Sequence, residues 1–240
     1  MSEDFVVGIV MATVLEADPF IKQLSLRQSE KEPFAVYENN RIRLIISGIG
    51  KANAAMSCTY LIMKFHPSGV FNLGAAGATG PNLLGECYHI AKVIEPDRPC
   101  LGSVSVSAGS ELPESSDNPF LSTILADSHA GFGSDPYHVH IPQMLEGFPT
   151  ATLATRDRAV KEPSERRETA SYAELVDMEG AAVVQTCERF HTNCYLFKFV
   201  SDTSEEDDTL NIRKNIEQYR DVFYAFFQDS VLPLMRRGYV

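Results

Sequence analysis

Positive charge is in short supply: 21 lysines and arginines stand against 32 aspartates and glutamates, a net charge of −11 over 240 residues. A phosphate backbone or an anionic bilayer would on average repel such a chain, so neither nucleic acid nor a membrane is an expected partner. Cysteine is scarce and unpatterned. The five residues, Cys58, Cys87, Cys100, Cys187 and Cys194, form no CxxC pair and no zinc-ligand rhythm, and their odd number fits reduced thiols in a cytoplasm. Long apolar runs are missing as well. The run behind the acidic start Met1-Ser2-Glu3-Asp4 covers only Phe5 to Ala12, too short for a membrane span or an export signal. With no repeat, low-complexity tract or Pro/Ser-rich linker, residues 1–240 read as one domain.

What is present is a set of short, branched apolar runs alternating with helical patterns. Phe5–Ala12, Ile42–Ser47, Val70–Leu73, Tyr88–Ile94 and Cys194–Val200 read as strands covered on both faces. Lys51–Phe65 and Gly180–Phe190 read as helices, and Ile212, Ile216, Tyr219, Phe223, Phe226, Val231 and Leu234 share one helical face. The order implies an α/β fold with a mostly parallel sheet flanked by helices. Residues 97–150, rich in Ser, Gly, Pro and His, read as long loops at a binding edge or subunit contact.

In such sheets ligands sit beyond the carboxyl ends of the strands, here Thr13–Glu16, Ser47–Gly50, Gly74–Gly80 and Ser201-Asp202. Each motif also has an ordinary explanation. Gly48-Ile49-Gly50-Lys51 is no P-loop, because Ile45 and Ala52 stand where that motif needs Gly and Ser or Thr. Gly74–Gly80 admits close backbone approach, or is simply a tight turn. Thr13 and Glu16 have capping-box spacing, Asp177 and Glu179 suit a helix entry, and Asp202 follows a strand where turn formers are common. Three carboxylates brought to one sheet edge, however, are hard to obtain from capping alone. His138-Val139-His140 lacks a third ligand and reads as two loop histidines, so no metal and no cofactor is expected. Arg156, Arg158 and Lys161 read as solvated, or as a cradle for an anionic substrate group.

The blocks Gly8-Ile9-Val10 through Glu16, Ser47–Lys51, Asn72–Gly77, Val176–Ala181 and Val200–Asp202 together resemble the purine nucleosidase/phosphorylase family. The likeness is to its hydrolytic branch, the methylthioadenosine/S-adenosylhomocysteine nucleosidases and futalosine hydrolases. The resemblance implies a three-layer α/β sandwich, a small-molecule purine nucleoside as partner, a homo-oligomer (a dimer by preference), and cleavage of the N-glycosidic bond. By family position Asp202 is the acid at purine N7 and Glu16 the base that takes a proton from water. Glu179 takes the ribose hydroxyls, Met178 packs on the sugar and Val160 meets the base, with Ala75, Gly77, Ser201 and Lys198 completing the substrate-binding set. Phosphorolytic relatives hold phosphate with arginines near the first loop and Gly-rich turn. Neither Thr13–Glu16 nor Leu73–Gly80 contains one, so water is the expected nucleophile. Ala75 replaces a serine and Lys198 an arginine of the nucleosidases, while Asp177 and Gly180 are closer to futalosine hydrolases. Asp202 accepts hydrogen bonds well, which favours a 6-aminopurine. Three rival readings remain: a phosphate-dependent phosphorylase of the same family, a non-catalytic nucleoside sensor, and a structural subunit whose carboxylates are caps.

Overall fold

The computed structural model describes residues 6–99, 137–203 and 209–236. Along the chain run β1 (Val7–Met11), α1 (Val14–Gln23), β2 (Arg27–Glu30), β3 (Ala35–Glu38), β4 (Ile42–Ile46), α2 (Lys51–Phe65), β5 (Gly69–Ala78) and β6 (Cys87–Pro99). After them come β7 (Tyr137–His140), β8 (Thr150–Thr155), α3 (Pro163–Thr169), β9 (Leu175–Asp177), α4 (Gly180–Arg189) and β10 (Asn193–Asp202). Last is α5 (Thr209–Phe226), continued through one π turn (Phe227–Val231) into α6 (Leu232–Arg236).

Alternation along the buried strands makes the layers. Val10, Ile45, Val70 and Leu196 face one side, where α2 and α4 supply Ala54, Cys58, Leu61, Ala181 and Val184. Their neighbours Ile9, Leu44, Phe71, Tyr195 and Phe197 face the other side, against Ala17 and Phe20 of α1, Phe223 of α5, and Phe227 beyond it. The result is the expected helix–sheet–helix sandwich. Phe20 alone meets the rings of Phe223, Tyr224 and Phe227 at centroid distances of 5.8, 5.1 and 5.2 Å. Truncating such a ring to alanine costs about 3–5 kcal/mol.

The sheet is mixed. β1 runs parallel to β4 and β5, β5 to β10, and β8 to both β6 and β9. The pairs β10–β6, β5–β9, β3–β4, β2–β3 and β6–β7 are antiparallel. Five strands close on themselves in the order β5–β10–β6–β8–β9, and β1, β4, β3 and β2 extend from β5 as an open wing. No sequence periodicity announces that closure.

The segment read as loops is partly strand. Asp97 lies near the end of β6, Tyr137 to His140 form β7, and β8 begins at Thr150; residues 100–136 lie outside the described part. His140 is therefore a strand residue and not a loop histidine. Its Nδ1 is 3.0 Å from Glu188 Oε2 and its Nε2 4.0 Å from Glu95. Burial opposes its charge, but the two carboxylates outweigh burial and lift the imidazole to about 9. Among the described residues no cluster suits a metal ion, and no helix is long and apolar enough to cross a membrane.

Candidate active site

The carboxyl ends of β1, β5, β9 and β10 meet around a cavity of about 180 Å3, with Glu16, Ala75, Gly77, Met178, Glu179, Ser201 and Asp202 in its wall. Val160 and the flanking Arg158 to Lys161 close one side, and Ile49, Ile212 and Ile216 form an apolar patch on another. A larger cavity, about 490 Å3, opens at the opposite end of the sheet around Asn39, Arg41 and Leu232, but no carboxylate lines it.

Glu16 does two jobs at once. Thr13 caps α1 by accepting from the Glu16 N–H at 3.3 Å, and Glu16 Oε2 accepts in return from the Thr13 N–H at 3.1 Å and hydroxyl at 2.6 Å. Its other oxygen accepts from the Ala75 N–H at 2.8 Å, which ties it to β5. One side chain thus both closes the capping box of α1 and lines the cavity. Gly74 makes the approach possible, since a Cβ there would sit 2.8 Å from Glu16 Oε1.

Glu179 stands at the entry of α4, its Oε1 accepting from the Gly50 N–H at 2.7 Å. Burial raises its carboxyl most, and Asp177 and Glu16 add to the rise against Lys198 and the Gly50 N–H, so that the group is pushed up to about 7. Asp177 is the side chain that caps α4. It accepts from the Gly180 N–H at 2.8 Å, from the Thr155 hydroxyl at 2.7 Å and from Lys198 Nζ at 2.9 Å. Lys198 is fully buried; desolvation works against its charge, but Asp177, Glu179 and Glu16 hold its ammonium above the ordinary lysine value. It is not among the residues lining the cavity, so its contact with any ligand is indirect.

Asp202 ends β10. Its Oδ1 accepts from the Ser201 hydroxyl at 2.7 Å and its Oδ2 from Arg166 Nη2, while Arg166 Nη1 reaches the Ala78 carbonyl at 2.7 Å. Gly77 lies beneath, where a Cβ would come within 2.7 Å of Oδ2. The Gly-rich run is thus a strand pressed against two carboxylates and not a tight turn. Arg166 escaped sequence reading because Ser-Glu-Arg-Arg looks like a solvated helix. Only the spacing of Arg166 with Thr169, both buried on α3, carried a signal. The basic cluster on the cavity rim is largely paired: Arg156 with Asp97 at 2.8 Å, and Arg158 through two nitrogens with Glu165. Asp157, between them, is 3.0 Å from Lys51.

A family model described as the phosphorylase superfamily matches residues 6–231. The chain belongs to this superfamily. Among its superfamily relatives, the 5′-methylthioadenosine/S-adenosylhomocysteine nucleosidase of Bacillus subtilis is 30% identical over 192 residues, covering 76% of this chain and 77% of the relative. The enzyme of that name from Buchnera aphidicola is 27% identical over 224 residues, 88% of each chain. Futalosine hydrolase of Helicobacter pylori superposes with a TM-score of 0.73 at 18% identity, over 96% of this chain and 99% of that one, which shows the shared fold.

Proposed function

We propose that this superfamily member hydrolyses the N-glycosidic bond of an adenine nucleoside with a modified 5′ position, releasing the free base. The nucleosidase relatives support the substrate class, and the observation that carries the reading is the meeting of Glu16, Glu179 and Asp202 around one cavity. As the bond to the base lengthens, the ribose becomes oxocarbenium-like, and flanking carboxylates favour that developing positive charge. Glu179, with one oxygen on Gly50, keeps the other for the ribose hydroxyls, with Met178 against the sugar. Glu16, oriented by Thr13 and Ala75, takes the proton of the attacking water. Asp202, as the acid of this reading, gives its proton to purine N7 as the bond to the base breaks, and Val160 walls the base.

The apolar patch of Ile49, Ile212 and Ile216 suits an uncharged 5′ substituent better than a phosphate, and Arg158 on the rim is already engaged by Glu165. We assign the protein to the cytoplasm, in keeping with its free cysteines 58, 87, 187 and 194, and without a nucleic-acid or membrane partner, in keeping with its charge. We infer further that it acts as a homodimer. Met56 and Met63, two turns apart on α2, and Ile49, which precedes the helix at the cavity, are each more than half exposed and leave apolar surface for a second copy to cover.

Release of adenine from 5′-methylthioadenosine, followed with and without phosphate, tests the reaction. Turnover independent of phosphate is expected. Strict phosphate dependence would make the enzyme a phosphorylase, and tight binding without turnover a sensor.

A further inference from the structure

We propose that Lys51 is a positioning residue of this site: by pairing with Glu95, Asp97 and Asp157 it holds the Gly50 N–H on Glu179, and the segment carrying Val160, in one fixed relation. The proposal deepens the function given above and rests on Glu179 meeting the ribose and Val160 the base. Lys51 itself is not among the residues lining the cavity.

A lysine at the first position of a helix faces the positive end of the helix dipole, and α2 has no acid in its first turn to offset it. The residue is therefore not there for the sake of the helix. Its Nζ lies 3.1 Å from Glu95 Oε1 and 3.8 Å from Asp97 Oδ2, both on β6, and 3.0 Å from Asp157 Oδ1 in the segment between β8 and α3. Only 16% of the side chain is exposed. Burial works against its charge, but Asp157 and Glu95 outweigh burial and hold the ammonium above the ordinary lysine value.

On one side of Lys51 the chain is soft. Gly48 and Gly50 both have positive φ, 83° and 100°, and Gly50 caps α2 without a side chain to anchor it. The N–H that Glu179 accepts at 2.7 Å belongs to this glycine, so its direction is set by what holds the neighbouring residue. Lys51 is that neighbour, and β6 is what holds it.

On the other side lies the wall of the base. Asp97 accepts from Arg156 Nε at 2.8 Å and from the Asp157 N–H, and the Arg156 N–H donates to the Asp177 carbonyl at 2.9 Å. Three residues beyond Asp157, Val160 is buried against Ala154, Ala173 and Val176. The ammonium of Lys51 thus joins two pieces of chain that approach the nucleoside from different directions, with the end of β6 as their common support.

Two measurements read the two sides. The ratio of kcat/KM for 5′-methylthioadenosine to that for its 2′-deoxy analogue reports the hold on the ribose, and the Kd for adenine reports the wall of the base. Lys51→Met should lower the ratio by about tenfold, the scale of one hydrogen bond to a charged group, and raise the Kd by about threefold, the scale of a partly exposed ion pair. Lys51→Arg should recover most of both. A purely structural role would lower stability and leave the ratio where it was. A folded Lys51→Met protein, checked by circular dichroism, in which either readout is unchanged overturns the proposal. Should that variant not fold, Asp157→Ala cuts the tie at a side chain that is 69% exposed. A rise of about threefold in its adenine Kd supports the proposal, and an unchanged Kd overturns it. If the wild type binds adenine but turns over neither nucleoside, the hydrolytic reading fails while the adenine Kd values still decide the role of Lys51. A wild type that does not bind adenine sinks both.

Discussion

Glu179 carries two demands that pull against each other. The proposed ribose anchor must be an anion, yet burial and the nearby carboxylates push its carboxyl up to about 7. The folded chain therefore binds a proton there that the unfolded chain has already lost between about pH 4.5 and 7, so this group lowers stability as pH rises through that window. We expect kcat/KM to fall as the pH drops below about 7. Glu179→Gln should flatten that limb, cost about 10- to 100-fold in activity, and raise Tm above pH 7 by a few degrees, because no charge is then buried beside Asp177. Pre-steady-state and steady-state rates across pH, with melting curves at pH 5 and 8, check both halves. An activity loss accompanied by a lower Tm at pH 8 would contradict the assignment. Glu16 could be singled out in the sequence because it follows an apolar run, and Glu179 because Asp177 and Glu179 read as a helix entry. Arg166 could not, because its partner Asp202 is 36 positions away and its own segment is polar.

At the scale of elements, β5 sets the positions of two of the carboxylates that line the cavity. Two glycines let carboxylates lie directly on its backbone, Gly74 under Glu16 and Gly77 under Asp202. A Cβ at Gly77 would stand 2.7 Å from a carboxylate that Ser201 and Arg166 do not release. Gly77→Ala should lower kcat/KM by about 100-fold through misplacement of Asp202, while Tm moves by only a few degrees. Circular dichroism and kinetics on the same preparation test this, and full activity would show that Asp202 can shift without consequence. Strands buried on both faces were legible from their branched runs, as β1, β4 and β10 show, and so was α2 over Lys51–Phe65. The strands that escaped notice lacked that signal for physical reasons. β2 (Arg-Gln-Ser-Glu) is a polar edge, β9 has three residues, and β8 (Thr-Ala-Thr-Leu-Ala-Thr) is built of small side chains whose alternation is faint.

For the whole molecule, the inferred dimer gives a prediction of its own. Sedimentation at micromolar concentration should return twice the chain mass, and Met56→Lys should move it toward one chain mass with little change in monomer melting. A monomer at every concentration would refute the inferred dimer. The sheet constrains how two copies could meet. The strand order ends at β2, and β7 pairs with β6 alone, so among the described residues these two strands each carry an unpaired flank. β2 presents Arg27, Gln28 and Ser29 to solvent, polar side chains that discourage another strand from adding by backbone pairing. Growth of the sheet from copy to copy is thereby blocked on that side. The wing thus ends as a terminus and not as a template, which protects the folded chain from fibre-like stacking.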